Sequence, residues 1–347
     1  MSQLTLPIDP REATKALLTG LRQRRMRDVI EKRFGLKGGK QKTLQAIGEE
    51  YKITRERVRQ IEADALKHLA LPVSSDAMAP LKKALEEHLL MHRGVIGEVR
   101  LLSDAGEAKI HPHLLLLLTI MPLFTRLPET ESLSACWAMS REYGRHLEEM
   151  LDGVTKRLEE DRRLVSEADL LSIASAAAGE TYQENLPRTV IESHLAVSKR
   201  ISKNPYGEYG LSDWPEVSPS GVKDKAYVAL AKAGKPMHFR EVALAIDRAG
   251  WSRKKAHPQT VHNELIKDKR FVLVGRGLYA LKEWGYEPGS VRDIMISVLK
   301  SARQPLTKDE IIVSALEKRH VKVPTILLNL QNQSVFKRTG DGKYTLV

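Results

Sequence analysis

The sequence contains a single cysteine, Cys136, and aromatic residues make up only 5% of its 347 positions. One cysteine cannot form an internal disulfide, and no export signal opens the chain, so we expect a reducing, cytoplasmic environment. The most apolar run, Leu114 to Met121, ends at Pro122 and is far shorter than the roughly 20 residues of a membrane-spanning helix. It predicts a buried helix and no membrane association.

The chain also lacks the residue patterns of common catalytic and nucleotide-binding sites. The segment from Gly35 to Lys40 is rich in glycine and lysine, but its spacing is one residue short of a phosphate-binding loop, and Gln41 replaces the required Ser or Thr. We find no Cys and His pair with an orienting acid, and no carboxylate cluster within a known motif. The sequence therefore predicts a non-enzyme with no cofactor and no small-molecule substrate.

Four histidines are possible metal ligands by residue type. His88 and His92 are four residues apart and would share one face of a helix, but no Cys, Asp or Glu accompanies them at ligand spacing. Solvated or packed histidines are the expectation here, and also at His111 and His113. We predict no metal site.

Hydrophobic content of 42% and charged content of 29% are typical of a globular protein, and the length predicts two to four domains. The net charge of +12 is unevenly distributed. It is +7 over residues 1–70, −2 over 71–140, −5 over 141–219, +7 over 220–289 and +5 over 290–347. This layout suits a protein whose basic ends approach a polyanion while its centre faces protein or solvent, although ordinary solubility would also explain it.

The stretch from Thr43 to Leu69 has the pattern of two short amphipathic helices joined by a turn. Thr54 is a good N-cap, and Ile53 and Val58 occupy the two positions of a hydrophobic staple, so the second helix is predicted to begin at Arg55. Apolar residues then recur at spacings of three and four and define its buried side: Val58, Ile61, Ala65 and Leu69. The side chains left facing outward near its start are those that pair with base edges: Arg55, Glu56, Arg59 and Gln60.

From about Arg22 to Leu69 the chain resembles region 4 of bacterial primary sigma factors, and TRERVRQIEADAL resembles the recognition helix nearly residue for residue. That region binds the promoter −35 element and the RNA polymerase flap. The resemblance implies base contacts from Arg55, Glu56, Arg59 and Gln60, and phosphate contacts from Arg25, Arg33 and the turn at Thr43. Two features depart from the family, because Asp64 replaces a lysine that contacts the DNA backbone and the loop from Lys37 to Lys40 differs.

An internal repeat organises the second half of the chain. Tyr209 to Trp214 and Tyr279 to Trp284 share the pattern Tyr-x-Leu-x-acidic-Trp, and Tyr344 to Leu346 repeats its first half. A turn precedes each copy, and helical segments precede the turn. Three helices followed by a β-hairpin is the order of a winged helix. The aromatic residues are expected to seal each hairpin onto its helices rather than to stack on bases.

The best-defined unit is 220–286, which resembles the HARE helix-turn-helix family through HPQTVHNELIKDKRFVLVGRGLYAL. That family occurs in chromatin regulators and restriction endonucleases and is related to the delta subunit of bacterial RNA polymerase. Its predicted elements are helices 222–232, 239–249 and 258–267 and wing strands 271–274 and 278–281. Residues that could form a second DNA-binding surface are Lys254, Lys255, Gln259, Asn263 and, at the wing tip, Arg276. Winged helices also bind protein, so a solvated surface is an equally good interpretation.

The fold prediction is a mainly α protein in which a helix-turn-helix precedes tandem winged helices. The predicted domains are 1–72, 76–140, 141–217, 220–286 and 290–347, and the second of these is a possible degenerate winged helix whose wing would include Phe124 to Trp137. The units at 141–217 and 290–347 are predicted to contain helices near 141–161, 166–177, 187–198, 291–300, 308–318 and 324–331.

The leading functional hypothesis is a nucleoid-associated transcription factor that reads double-stranded promoter DNA through α-helix 55–69 and contacts RNA polymerase. Nothing resembles the sigma segments that melt the −10 element, so it is not expected to initiate transcription alone. Two alternatives remain open: an architectural protein that coats DNA with little sequence preference, and a DNA-recognition subunit of a nuclease or modification system.

Overall fold

A computed structural model describes residues 4–73, 76–252, 254–287, 289–319 and 321–347. The chain divides into two compact units, Met1–Ser202 and Lys203–Val347. Both are mainly helical with short strands, which confirms the predicted fold class. Within the described ranges no helix has both the length and the apolar character needed to cross a bilayer.

The first unit contains ten helices in its described part. They are α1 Pro10–Thr19, α2 Arg24–Phe34, α3 Leu44–Tyr51, α4 Arg55–Val73, α5 Ala79–Met91, α6 Glu98–Ala105, α7 His111–Ile120, α8 Arg141–Asp161, α9 Glu167–Tyr182 and α10 Arg188–Leu195. Its strands are β1 Val95–Gly97, β2 Thr125–Leu127 and β3 Cys136–Ala138, and β4 Ile201–Lys203 lies at its C-terminal limit.

Threonine caps fix the starts of α3 and α4. Thr43 Oγ1 accepts a hydrogen bond from the Ala46 amide, and Thr54 Oγ1 accepts one from the Arg57 amide, each at 3.1 Å. A hydroxyl is favoured at this position because it satisfies an N–H group that has no partner within the helix. The predicted start of α4 at Arg55 is therefore confirmed.

At its C-terminal end, α4 is longer than predicted. The helix continues through Pro72 to Val73, which is 2% exposed and belongs to the core. Burial of the Val73 side chain stabilises the last turn of α4, which Pro72 would otherwise disfavour. Ser74 and Ser75, the centre of the predicted linker, lie outside the described residues. Pro80 lies in the first turn of α5, where its missing N–H has no cost because the first N–H groups of a helix have no partner within it.

Two apolar cores meet along α4. Its first half packs Val58 and Ile61 in a small cluster with residues of α2 and α3, whereas Ala65 and Leu69 belong to a large cluster shared with α1, α5 and α7. The apolar run predicted as a buried helix is α7, which packs against α1, α2 and α4. Other helices of this chain thus cover the apolar side of the C-terminal half of α4, beyond the helix-turn-helix.

Residues 79–138 follow the order helix, strand, helix, helix, strand, strand. In the antiparallel sheet β3 lies between β1 and β2, and Trp137 pairs with Ile96 on one side and Arg126 on the other. Residues 221–281 of the second unit have the same order of helices and strands, and there too the last strand lies in the centre of the sheet. The predicted wing contains β2 and the beginning of β3, and the exact domain boundaries stay a prediction.

In the second compact unit, β5 Tyr209–Leu211 precedes two groups of three helices with their strands. The first comprises α11 Gly221–Ala233, β6 Met237–His238, α12 Phe239–Ala249, α13 Pro258–Lys267, β7 Phe271–Leu273 and β8 Leu278–Leu281. The second comprises α14 Val291–Ala302, α15 Lys308–Lys318, α16 Val323–Leu330, β9 Phe336–Arg338 and β10 Tyr344–Leu346. The bounds lie within about two residues of the predicted ones.

In the unit that starts at Gly221, β8 lies between β6 and β7, and the sheet covers a core built by all three helices. Tyr279 of β8 is 1% exposed, and its hydroxyl lies 3.2 Å from His262 Nδ1 on α13. Trp284 packs against the same core. These aromatic residues attach the hairpin to the helices, which is the role expected from the repeat.

Candidate nucleic-acid interface

The N-terminal turns of α4 present an exposed polar surface. Burial of Val58 and Ile61 turns the opposite side of the helix outward, and Arg55, Glu56, Arg59 and Gln60 are all exposed there. Arginine donates two hydrogen bonds to a guanine edge, glutamine donates one to and accepts one from an adenine edge, and glutamate accepts from cytosine. We call these four residues the reading face.

Two members of the reading face are already bonded to each other. Arg59 Nε donates to Glu56 Oε2 at 2.9 Å, and Arg59 Nη2 donates to Glu56 Oε1 at 2.7 Å. This hydrogen bonding lowers the pKa of Glu56, so its carboxylate is ionised and accepts hydrogen bonds. The two side chains are 59% and 57% exposed, and ion pairs of such exposure contribute little to stability. The pair therefore contributes little to the stability of α4.

Arg57 is a neighbour of the reading face that the sequence reasoning missed. It is exposed, and its Nη1 donates to Gln60 Oε1 at 3.1 Å. Its side chain thus orients the amide predicted to read adenine and adds positive charge beside it. A signal was present, because Arg57 stands three residues before Gln60, the spacing of neighbours on a helix surface.

The predicted phosphate contacts fall into two groups. Thr43 and Arg25 are exposed, and the Arg25 guanidinium carbon lies 5.0 Å from the centroid of the Tyr51 ring. Arg33 is instead committed within the fold, since its Nε donates to Glu62 at 3.1 Å and its Nη1 donates to the Lys42 carbonyl at 3.2 Å. A phosphate contact from Arg33 would have to compete with bonds that join α2 to α4 and to the loop before α3.

The two departures from the sigma pattern lie close to this surface. Asp64 is exposed one turn beyond Gln60, so its carboxylate faces outward along the same side of α4. The loop before α3 is closed tightly, because a Cβ on Gly35, whose φ is +73°, would stand 2.6 Å from the Gly39 carbonyl oxygen. Lys37 in that loop pairs with Glu31 at 2.7 Å. The loop thus folds back on itself at Gly35 and pairs with α2 through Lys37.

The second predicted surface lies on α13, the loop before it and the wing. Gln259 and Asn263 are exposed one turn apart and bonded to each other, with Gln259 Nε2 donating to Asn263 Oδ1 at 3.3 Å. Lys254, Lys255 and Arg276 are exposed on the two loops. Apolar side chains are exposed on the same unit, with Ile266 of α13 at 62%, Leu244 of α12 at 54% and Leu273 of β7 at 45%. This mixture suits a protein partner as well as DNA.

The histidines occupy two different environments. His111 and His113 are half-buried at the start of α7, and His111 Nε2 lies 3.0 Å from the Gly106 carbonyl oxygen. His88 and His92 are buried and lie beside Asp104, which sequence reasoning did not associate with them. Asp104 is on another helix, twelve residues beyond His92, so the spacing rules for one helix could not find it.

Two segments of the chain match known families. Residues 23–70 match Sigma-70, region 4, and residues 221–284 match HARE-HTH, the helix-turn-helix domain described for ASXL proteins and restriction endonucleases. The predicted combination of a sigma region 4-like helix-turn-helix with a HARE-type domain is therefore confirmed. The reading face lies inside the first match, and the second predicted surface lies inside the second.

Several sigma factors are similar to a short segment of this chain. The RNA polymerase sigma factor SigA1 of Synechococcus elongatus is 48% identical over 62 residues, which are 18% of this chain and 15% of that protein. SigA of Microcystis aeruginosa is 54% identical over 48 residues, or 14% of this chain and 12% of the relative. SigA of Lactococcus lactis subsp. cremoris is 50% identical over 48 residues, or 14% and 13%. The chain thus shares one small DNA-binding domain with these sigma factors and spans only a minor part of their length.

Proposed function

We propose that this protein is a transcription regulator that binds promoter DNA of the −35 type through the reading face of α4 and acts together with RNA polymerase at the nucleoid. The observation that carries the proposal is the exposed set Arg55, Glu56, Arg59 and Gln60 on the first two turns of a helix capped by Thr54. The segment that holds it is similar to region 4 of sigma factors.

Contact with polymerase is supported by the same similarity, because the relatives that align with this domain are named RNA polymerase sigma factors. The structure limits where a partner binds. Ala65 and Leu69 of α4 are buried in a core with α1 and α7. A partner must therefore bind a part of the domain that these two helices leave exposed. The aligned part is 15% of one of those relatives and 12% of the other, and a regulator that relies on a separate sigma factor for melting fits that small share.

The test is a selection of bound sequences from random double-stranded DNA with the full chain, followed by affinity measurements on the enriched site. A double substitution, Arg55→Ala with Arg59→Ala, should lower affinity by about 1–3 kcal/mol for each bidentate pairing with a base that it removes, and should flatten the selected consensus. The matched control is Lys82→Ala with Lys83→Ala, which removes the same charge from exposed positions of α5. That control should retain the consensus.

An unchanged consensus in the Arg55 and Arg59 variant would reject the reading face as the source of specificity. Promoter occupancy mapped in cells, combined with a polymerase pull-down, tests the second half of the proposal. Recovery of polymerase at the occupied promoters supports it, whereas occupancy without polymerase contradicts it.

A second candidate function is an architectural DNA-binding protein, which the basic charge of both ends of the chain favours. Such a protein would enrich no consensus in the selection, although it would bind all sequences with a strong dependence on salt. A third candidate, a recognition subunit of a nuclease or modification system, is suggested by the HARE-type domain. Copurification with a nuclease in place of polymerase would favour it.

A further inference from the structure

A buried polar cluster lies between the end of α5 and the end of α6. His88 Nε2 is 3.2 Å from Asp104 Oδ2, and His92 Nε2 is 3.9 Å from the same oxygen. The three residues are 1%, 4% and 8% exposed, and one ligand atom from each lies within 4.8 Å of the others. Two imidazoles and a carboxylate thus converge on one point inside the protein.

His92 has no hydrogen-bond partner for either ring nitrogen among the described residues, although its side chain is only 5% exposed. Its distance of 3.9 Å to Asp104 is too long for a hydrogen bond. A buried polar group without a partner costs about 1–3 kcal/mol, and native proteins rarely leave one in place without a reason. A species that bonds to His92 Nε2 would remove the part of this cost that falls on that nitrogen.

We propose that His88 Nε2, His92 Nε2 and Asp104 Oδ2 bind a divalent transition-metal ion of the Zn²⁺ type. Tetrahedral Zn²⁺ with ligands at about 2.0–2.2 Å holds its ligand atoms roughly 3.4 Å apart. The observed separations from Asp104 Oδ2, 3.2 and 3.9 Å, bracket that value. Imidazole ligands favour Zn²⁺ over Mg²⁺ or Ca²⁺, and the fourth position is taken by water.

Arg100 completes the surroundings of the site. Its Nε lies 2.8 Å from Asp104 Oδ1 and 2.9 Å from Oδ2, which holds the carboxylate in place as outer partners of metal ligands do. Its positive charge weakens the attraction for a cation, but its side chain is 33% exposed and therefore partly screened.

Binding requires neutral imidazoles with a free Nε2 lone pair. For His88, the ion replaces the hydrogen bond to Asp104 and the ring takes the tautomer with its proton on Nδ1. Neither the Nδ1 of His88 nor that of His92 has a partner among the described residues, so a bound ion would satisfy the two Nε2 atoms and leave both Nδ1–H groups without an acceptor. The bound ion would join α5 to α6.

The test uses the full chain, purified without a histidine tag and treated with a chelator. We expect one equivalent of Co²⁺ to give the visible absorption of a tetrahedral complex, and one equivalent of Zn²⁺ to displace it. In Zn²⁺ at about 100 times its dissociation constant, the Tm of the first unit should rise by about 5–10 °C, while Mg²⁺ gives no rise.

The double variant His88→Asn with His92→Asn should lose the Co²⁺ spectrum and the Zn²⁺ response. His68→Asn, at an exposed histidine of α4, is the matched control and should retain both. If the wild-type chain shows neither a stoichiometric Co²⁺ spectrum nor a rise in Tm, the proposal is overturned, whether or not the double variant folds. A folded double variant that still binds one equivalent would also overturn it.

Discussion

Glu56 and Arg59 form a two-bond ion pair on the surface of α4 from which DNA would be read, with N···O distances of 2.9 and 2.7 Å. In the free protein the Arg59 guanidinium therefore donates two hydrogen bonds to Glu56. Both side chains are more than half exposed, so the pair is weak, and the proposed contacts with bases would replace it.

The first prediction concerns this pair. Arg59→Lys should lower affinity for the selected site by about 1–3 kcal/mol, because lysine cannot make the planar two-bond contact that arginine makes with guanine. Stability should change by less than about 0.5 kcal/mol, since both side chains are exposed. Affinity by fluorescence anisotropy and stability by urea denaturation measure the two effects. A lysine variant that binds the selected site as tightly as the wild type would contradict the prediction.

The second prediction separates the two arginines of α2. Arg33→Ala should lower the free energy of unfolding by about 1–3 kcal/mol, because it leaves the Glu62 carboxylate, only 16% exposed, without its partner. Arg25→Ala should lower stability by no more than about 1 kcal/mol, through loss of its exposed contact with Tyr51, and should reduce the salt dependence of DNA binding by about one phosphate contact. Denaturation curves and affinities at several salt concentrations distinguish them. A double-mutant cycle that combines Arg33→Ala with Glu62→Gln should show that their effects on the free energy of unfolding are not additive.

The third prediction concerns two helical glycines. Gly48→Ala should destabilise the first unit, although alanine is favoured over glycine within a helix, because its Cβ would stand 2.7 Å from the Ile53 carbonyl oxygen in the turn before α4. Gly179→Ala in α9 is the matched control. A Cβ there meets nothing within 4 Å, so it should stabilise by about 0.5–1 kcal/mol. Opposite shifts in the urea midpoint are expected, and shifts of the same sign would contradict the packing of the turn.

The fourth prediction concerns Cys136. Burial raises the pKa of its thiol to about 12, with smaller effects from Glu98 and Glu148, and the side chain is 1% exposed. At about pH 8 the thiolate population is therefore very small, and a thiol reagent should react only when the protein opens. Labelling should be at least about 100-fold slower in the native protein than in urea and should follow the unfolding transition. Fast labelling of the native chain would mean that β3 is accessible.

The sequence by itself determined the features that depend on neighbours along the chain. Thr43 and Thr54 predicted the starts of α3 and α4, and the apolar spacing from Val58 to Leu69 predicted the buried side of α4, because caps and helical periodicity involve residues within one or two turns. The turn signals between Val274 and Leu278 located the wing for the same reason. The exposure of the reading face followed from this local pattern.

Tertiary structure alone decided the contacts between residues that are distant in sequence. It paired Arg33 with Glu62, packed α7 against α4, and brought Asp104 to His88 and His92. These outcomes depend on which apolar surfaces pack together and on the resulting desolvation of polar groups. No local pattern in the sequence encodes either, because each is a property of the assembled core.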